Sequence, residues 1–192
     1  MPPAPKHKDR IIDAAIRLFR QRGYSASGLN DIVAASAAPK GSVYHYFPEG
    51  KASIAAAAVE TAGQRVVATL EEIASDRTST GDILIAHAEL LGTWLKRSDF
   101  RDGCPITTVL LELAPQNRKV TVAGKNAFAA RNNLLTDRLM AEGWPASEAA
   151  QMAQLCTCAM QGALVQARIE RSPKPLELVA RMLANQIDAA MS

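Results

Sequence analysis

Aromatic side chains are scarce, at 5% of a 192-residue chain. Runs of β-branched residues are nearly absent, which removes the usual material of strands. No uncharged apolar stretch approaches the roughly 18–20 residues that span a bilayer, so no membrane helix is expected. The cysteines are few and odd in number, at Cys104, Cys156 and Cys158. None forms a C-x-x-C pair, which leaves neither a disulfide framework nor a zinc site. No metal and no cofactor is therefore expected, and a reducing cytoplasm is the natural location. Met1 to Arg10 is Pro- and Lys-rich with no apolar run behind it, so no signal peptide is expected. Nucleophile elbow, phosphate loop and paired catalytic carboxylates are also missing, so no catalytic residue is assigned.

What is present favours helices. Hydrophobic residues reach 48% and charged residues 21%, enough for a packed core and too little charge for disorder. Alanine is abundant, and it enters a helix with no loss of side-chain entropy.

Charge is unevenly placed. Residues 1–51 hold eight Lys/Arg and four Asp/Glu, 8 − 4 = +4, while the rest hold fourteen and fifteen, 14 − 15 = −1. An N-terminal positive excess suits phosphate contacts through counterion release. On charge alone, a merely solvated face is an equal reading.

Residues 1–8 read as a flexible basic arm. Ile11, Ala14, Ala15, Leu18 and Phe19 then recur at helical spacing up to Arg22-Gly23. Ser27 is expected to cap a short second helix with Leu29, Ile32 and Val33 on its apolar face. A third short helix is expected from about Pro39 to Phe47, since proline fits a helix start. Pro and Gly breaks then predict helices near 51–75, 80–98, 105–115, 118–142, 146–171 and 175–190. The expected fold is all-α with about nine helices. The expected domains are a helix-turn-helix DNA-binding domain over 1–50 and a helical ligand-binding and dimerisation domain over 51–192.

Two short helices behind a longer one describe a helix-turn-helix. The last must be slim enough for a major groove about 12 Å wide, with one side packed and the other carrying donors. In 39–47, Val43 and Phe47 can pack inward. Lys40, Ser42, Tyr44, His45 and Tyr46 remain as polar or aromatic groups, and Gly41 leaves room for close backbone approach. Tyr44 and Tyr46 would also suit a small core, and Lys40 and His45 an ordinary surface.

The string Ile11-Ile12-x-Ala14-Ala15-x-x-Leu18-Phe19, Gly23-Tyr24, Ile32-Val33, Lys40-Gly41-Ser42-Val43-Tyr44-His45-Tyr46-Phe47 and Lys51 resembles the TetR family of bacterial regulators. The variants at 38–42 and 48–51, with Gly103-Cys104-Pro105, look more like its LmrA/YxaF-type subgroup of repressors of drug-efflux genes. The resemblance implies that Lys40, Ser42 and Tyr44 meet bases or nearby phosphates. It implies backbone contacts for His45 and Tyr46, and phosphate contacts for Ser27 and Lys51. Ala37 departs from the pattern, standing where glycine is usual; the turn must avoid a left-handed conformation or accept strain.

The resemblance also implies that the last two helices pair with those of a second copy. Leu155, Ala159, Gly162, Ala163, Val179, Leu183 and Ile187 are the candidate interface, although the same faces would suit burial within one chain. A pocket for a small lipophilic inducer is expected among His87, Leu91, Trp94, Thr107, Thr108, Leu111, Phe128, Cys156 and Met160. Each of these also suits ordinary core packing. The expected function is a ligand-responsive repressor of an efflux or detoxification gene, with double-stranded operator DNA, a second copy and an inducer as partners. An all-helical protein-interaction module without DNA binding is the alternative.

Overall fold

The computed structural model describes residues 5–77 and 79–190, and among these the chain forms helices and turns only. The helices are α1 Pro5–Arg22, α2 Leu29–Ser36, α3 Lys40–Tyr46, α4 Lys51–Ser75, α5 Thr80–Arg97, α6 Pro105–Leu113, α7 Arg118–Ala141, α8 Ala146–Glu170 and α9 Lys174–Ala189. This is the expected all-α class. From Lys51 onward the proline and glycine breaks place every boundary to within two residues. The N-terminal arm needs correction. Helix α1 already begins at Pro5, where a proline's missing N–H is no loss in a first turn; the rest of that segment lies outside the described residues. No helix among the described residues is long and apolar enough to cross a membrane.

Contacts divide the chain into two compact units. One takes residues up to Gln64 together with Cys104–Ala127; the other takes Arg65–Gly103 and the residues from Phe128 onward. Helices α4 and α7 contribute to both.

In the first unit, α1 lies against α2, α3 and α6. Its inner face is the one the spacing predicts: Ile11, Ala14, Ala15, Leu18 and Phe19 are all buried. Ile32 of α2, Val43 of α3, Phe47, and Ile54 and Val59 of α4 complete the core. Each large side chain buried this way contributes about 1.5–3 kcal/mol. In the second unit, α5, α8 and α9 pack on one another. Leu84, Leu95, Leu135, Leu139, Met160, Leu176, Leu183 and Ile187 share one apolar cluster there.

Candidate nucleic-acid interface

The approach to α2 differs from expectation. Gly28, with extended backbone (φ −73°, ψ 156°), is the N-cap, and the Asp31 carboxylate accepts its N–H at 2.9 Å. Ser27 is fully buried, and its hydroxyl donates to the Gly23 carbonyl at 2.7 Å. It therefore neither caps α2 nor offers a hydroxyl to a phosphate, because the turn after α1 needs that proton to satisfy its own carbonyl.

After α2 the chain reverses at Ala37, which adopts the left-handed conformation (φ 48°, ψ 27°). The strain that alanine accepts here is held by its surroundings. Arg10 donates to the Ala37 carbonyl at 2.8 Å and Arg17 to the Ala35 carbonyl at 3.1 Å. Two guanidinium groups thus satisfy carbonyls left over at the end of α2, where positive charge also complements the helix dipole. The sequence reading assigned no role to either arginine. Ser36 adds a bond to each side, donating to Val33 and accepting from Ala38.

Helix α3 then presents two unlike sides. Val43 and Phe47 are buried, as predicted, and Ser42 is buried beside them. That corrects the placing of Ser42 among the outward groups: it sits next to Val43 on the packed side. Lys40, Gly41, Tyr44 and His45 are exposed, Tyr44 by 50%. Tyr46 is half-buried, its ring edge-on to His45 at 5.0 Å. A Cβ added at Gly41 would meet nothing within 4 Å.

A carboxylate and two lysines brace this head. Glu112 of α6 accepts the N–H groups of Tyr24 and Ser25, at 2.6 and 2.7 Å. Burial alone would raise its pKa; the hydrogen bonds from Ser25 and Tyr24, with Lys51 nearby, outweigh it and hold the carboxyl below its ordinary value. Lys51 donates to the Tyr24 carbonyl at 3.0 Å and stands 4.0 Å over the Tyr24 ring. Lys119 of α7 pairs with Glu49 at 2.5 Å, both exposed. Glu112 and Lys119 lie far along the chain from their partners, and no local pattern announces them.

The body residues are placed differently from the sequence reading. Of the expected pocket, His87, Cys156 and Met160 are buried in the second unit, with Leu91 and Phe128 half-buried there. Thr107 and Thr108 are half-buried in the first unit, where the Thr108 hydroxyl donates to the Cys104 carbonyl at 3.0 Å. Leu111 and Trp94 are corrected: both are exposed, because they project from the outer sides of α6 and α5. A groove of about 510 Å³ in the second unit is lined by Val67, Glu71, Ala74, Asn133, Leu134 and Asp137, among others, and by none of the nine.

The expected interface also needs correction. Ala163, Leu183 and Ile187 are buried, and Ala159 and Val179 pack against the same internal cluster. Those positions close the unit's own core. Leu155 and Gly162 are exposed, in a second stripe on α8 with Cys158, Val165 and Ile169. On α9, Leu178 and Met182 are exposed likewise.

A short helix buried on one side, donor-bearing on the other and set behind a tight turn is the recognition element of a helix-turn-helix, and this chain is a DNA-binding transcription regulator of that class. It belongs to the TetR family: residues 11–65 match the model of bacterial regulatory proteins of the tetR family, and 81–182 that of the LmrA/YxaF-like C-terminal domain of transcriptional regulators. An uncharacterized HTH-type transcriptional regulator of Mycobacterium tuberculosis is 34% identical over 189 residues, covering 96% of this chain and 95% of that one. YxaF of Bacillus subtilis, an uncharacterized HTH-type transcriptional regulator, is 27% identical over 92% of each chain. A TetR transcriptional regulator from Legionella pneumophila shares the fold, with TM-score 0.81 at 20% identity over 97% of this chain and 99% of that one. The family is one of regulators and not of enzymes.

Proposed function

We propose that this protein is a cytoplasmic, ligand-responsive repressor that binds operator DNA as a homodimer and leaves it when a small lipophilic molecule occupies the body. The observation that carries the DNA contact is the two-sidedness of α3. Ser42, Val43 and Phe47 hold it to the core, while Lys40, Tyr44 and His45 face outward beside an open Gly41. Lys40 and Tyr44 meet bases or adjacent phosphates, and His45, Tyr46 and Lys51 meet the backbone. Backbone contacts set position, and base contacts set sequence. Residues 1–50 act as the DNA-binding part and the later helices as the sensing and pairing part.

The second copy docks on α8 and α9. Leu155, Cys158, Gly162, Val165 and Ile169 fall alternately three and four residues apart, the spacing of a helix-to-helix seam. Ile169 is 76% exposed, and Leu178 and Met182 stand out on the adjoining α9. Continuous apolar faces on two packed helices suit self-pairing into a four-helix bundle. The repressor sense and the efflux or detoxification target rest on resemblance to the LmrA/YxaF-type subgroup.

The test is a gel shift with DNA from upstream of the gene, comparing wild type with Lys40→Ala and Tyr44→Ala. Both variants should stay folded and bind more weakly. Losing one phosphate contact at Lys40 should lower the slope of log affinity against log salt by about 1. Wild-type affinity in both variants would defeat the assignment.

A further inference from the structure

Positive charge in the first unit is not confined to the helix-turn-helix. The unit holds eleven Lys/Arg and six Asp/Glu, 11 − 6 = +5, and the second unit eleven and thirteen, 11 − 13 = −2. Three of the first unit's cations, Arg118, Lys119 and Lys125, lie in the opening turns of α7, and all three are exposed. No acid interrupts the chain between Glu112 and Asp137.

The start of α7 is held against the head. Asn117 accepts the Val120 N–H through Oδ1 at 3.1 Å and donates its own N–H to the Leu113 carbonyl at 2.8 Å, which makes the corner from α6 tight. Leu110 of α6 rests on Gly124 of α7, so closely that a Cβ there would meet it at 2.5 Å. Lys119 reaches back to Glu49, which lies between the end of α3 and Lys51. That edge carries Tyr46 and Lys51, two of the contacts assigned to the DNA backbone.

Helix α7 itself gains nothing from these cations. A helix N-terminus is a partial positive charge, so cations in its first turn oppose it. No acid in that turn offsets them. Lys119 has Glu49, but an ion pair so exposed is worth little. Among the described residues, Arg118 has no acidic partner. A sequence that breaks a local rule without a gain inside the fold points to a gain outside it.

We propose that the start of α7 is a second DNA-contacting element, outside the helix-turn-helix. Arg118 binds a phosphate, and Lys119 neutralises the Glu49 carboxylate that would otherwise repel the duplex at that edge. The contact is to the backbone, so it adds affinity without reading sequence. This inference rests on the reading of α3 as the element that enters the groove, and it extends the DNA-binding part beyond residue 50.

The experiment is a binding titration of the full chain over a range of salt, with two duplexes of equal length, one from upstream of the gene and one of random sequence. Arg118→Gln should lower the slope of log affinity against log salt by about 1 per bound copy on both duplexes, which at about 0.1 M salt is roughly eightfold in affinity. The same variant should match or exceed the wild-type Tm, since it removes a cation from the positive end of α7. A merely structural role would lower Tm and leave the slope alone. Lys119→Gln should weaken binding, and adding Glu49→Gln should restore it. Lys174→Gln, an equal loss of charge at an exposed position of the second unit, should leave the slope unchanged. An unchanged slope in Arg118→Gln, or an equal fall in Lys174→Gln, overturns the phosphate contact. Failure of Glu49→Gln to restore Lys119→Gln overturns the role of Lys119. Weakened binding in Lys40→Ala with none in Arg118→Gln defeats this site alone. The reverse, with Lys40→Ala and Tyr44→Ala binding as wild type, defeats the reading of α3 and leaves the α7 contact standing.

Discussion

The carboxylate of Glu112 closes on the backbone N–H of Tyr24 at 2.6 Å, across 88 residues of chain. The next N–H, on Ser25, binds its other oxygen. Helix α6 thereby satisfies two donors of the turn that leads into α2. Glu112→Ala should destabilise the protein by about 1 kcal/mol, a figure for a charged acceptor reduced by its exposure. The folded-state pKa lies below the ordinary value, so the stabilisation is full above that ordinary value. It is lost as pH falls through the folded value. Urea unfolding of wild type and variant at pH 7 and at mildly acid pH should show their difference shrinking on acidification.

Ala37 offers a gain. A left-handed alanine costs roughly 1–2 kcal/mol relative to an unstrained residue, part of which glycine returns as unfolded-state entropy. With φ at 48°, Ala37→Gly should therefore raise stability by about 0.5–1 kcal/mol. Differential scanning calorimetry would read this as a higher Tm; a fall would show that the turn relies on the alanine methyl.

His87 should make the protein acid-sensitive. Its pKa is 6.5 in the unfolded chain and about 3 in the fold, so the unfolded state binds the extra proton between those values. Stability is full above 6.5 and declines by about 1.4 kcal/mol per pH unit as pH falls toward 3. Compared over that window, His87→Phe should lose stability less steeply than wild type. Equal slopes would place the burial of this ring in doubt.

The inward and outward apolar faces of α8 and α9 should answer differently to substitution. Leu183 is buried within the unit, so Leu183→Ala should cost about 2–5 kcal/mol of folding stability. Ile169→Asp combined with Met182→Asp alters exposed positions only and should leave the helices intact while yielding a monomer by sedimentation. A dimer that survives this pair of changes would rule out the proposed seam.

These faces also show where the sequence runs out. Leu178 and Met182 recur at helical spacing just as Leu183 and Ile187 do, and periodicity cannot say which row meets the chain's own core. The long helices were legible because proline and glycine bound them. The inner face of α1 was legible because one stripe of it is apolar and the rest is charged. Ser27 misled because a small hydroxyl beside a helix start suits a cap and a buried turn equally. Ser42 misled because a serine can lie on the packed side of so short a helix at little cost. The bonds of Arg10 and Arg17 to α2 form between separate helices, which local patterns do not encode.

Gly41 carries one last consequence. Glycine inside a helix gives up about 1 kcal/mol relative to alanine. Among the described residues, nothing claims the vacant space beside it. The helix is thus weaker at that spot than its own architecture demands. Whatever comes to lie against α3 is what a methyl group there would obstruct, and a bare stretch of backbone is what that visitor would find.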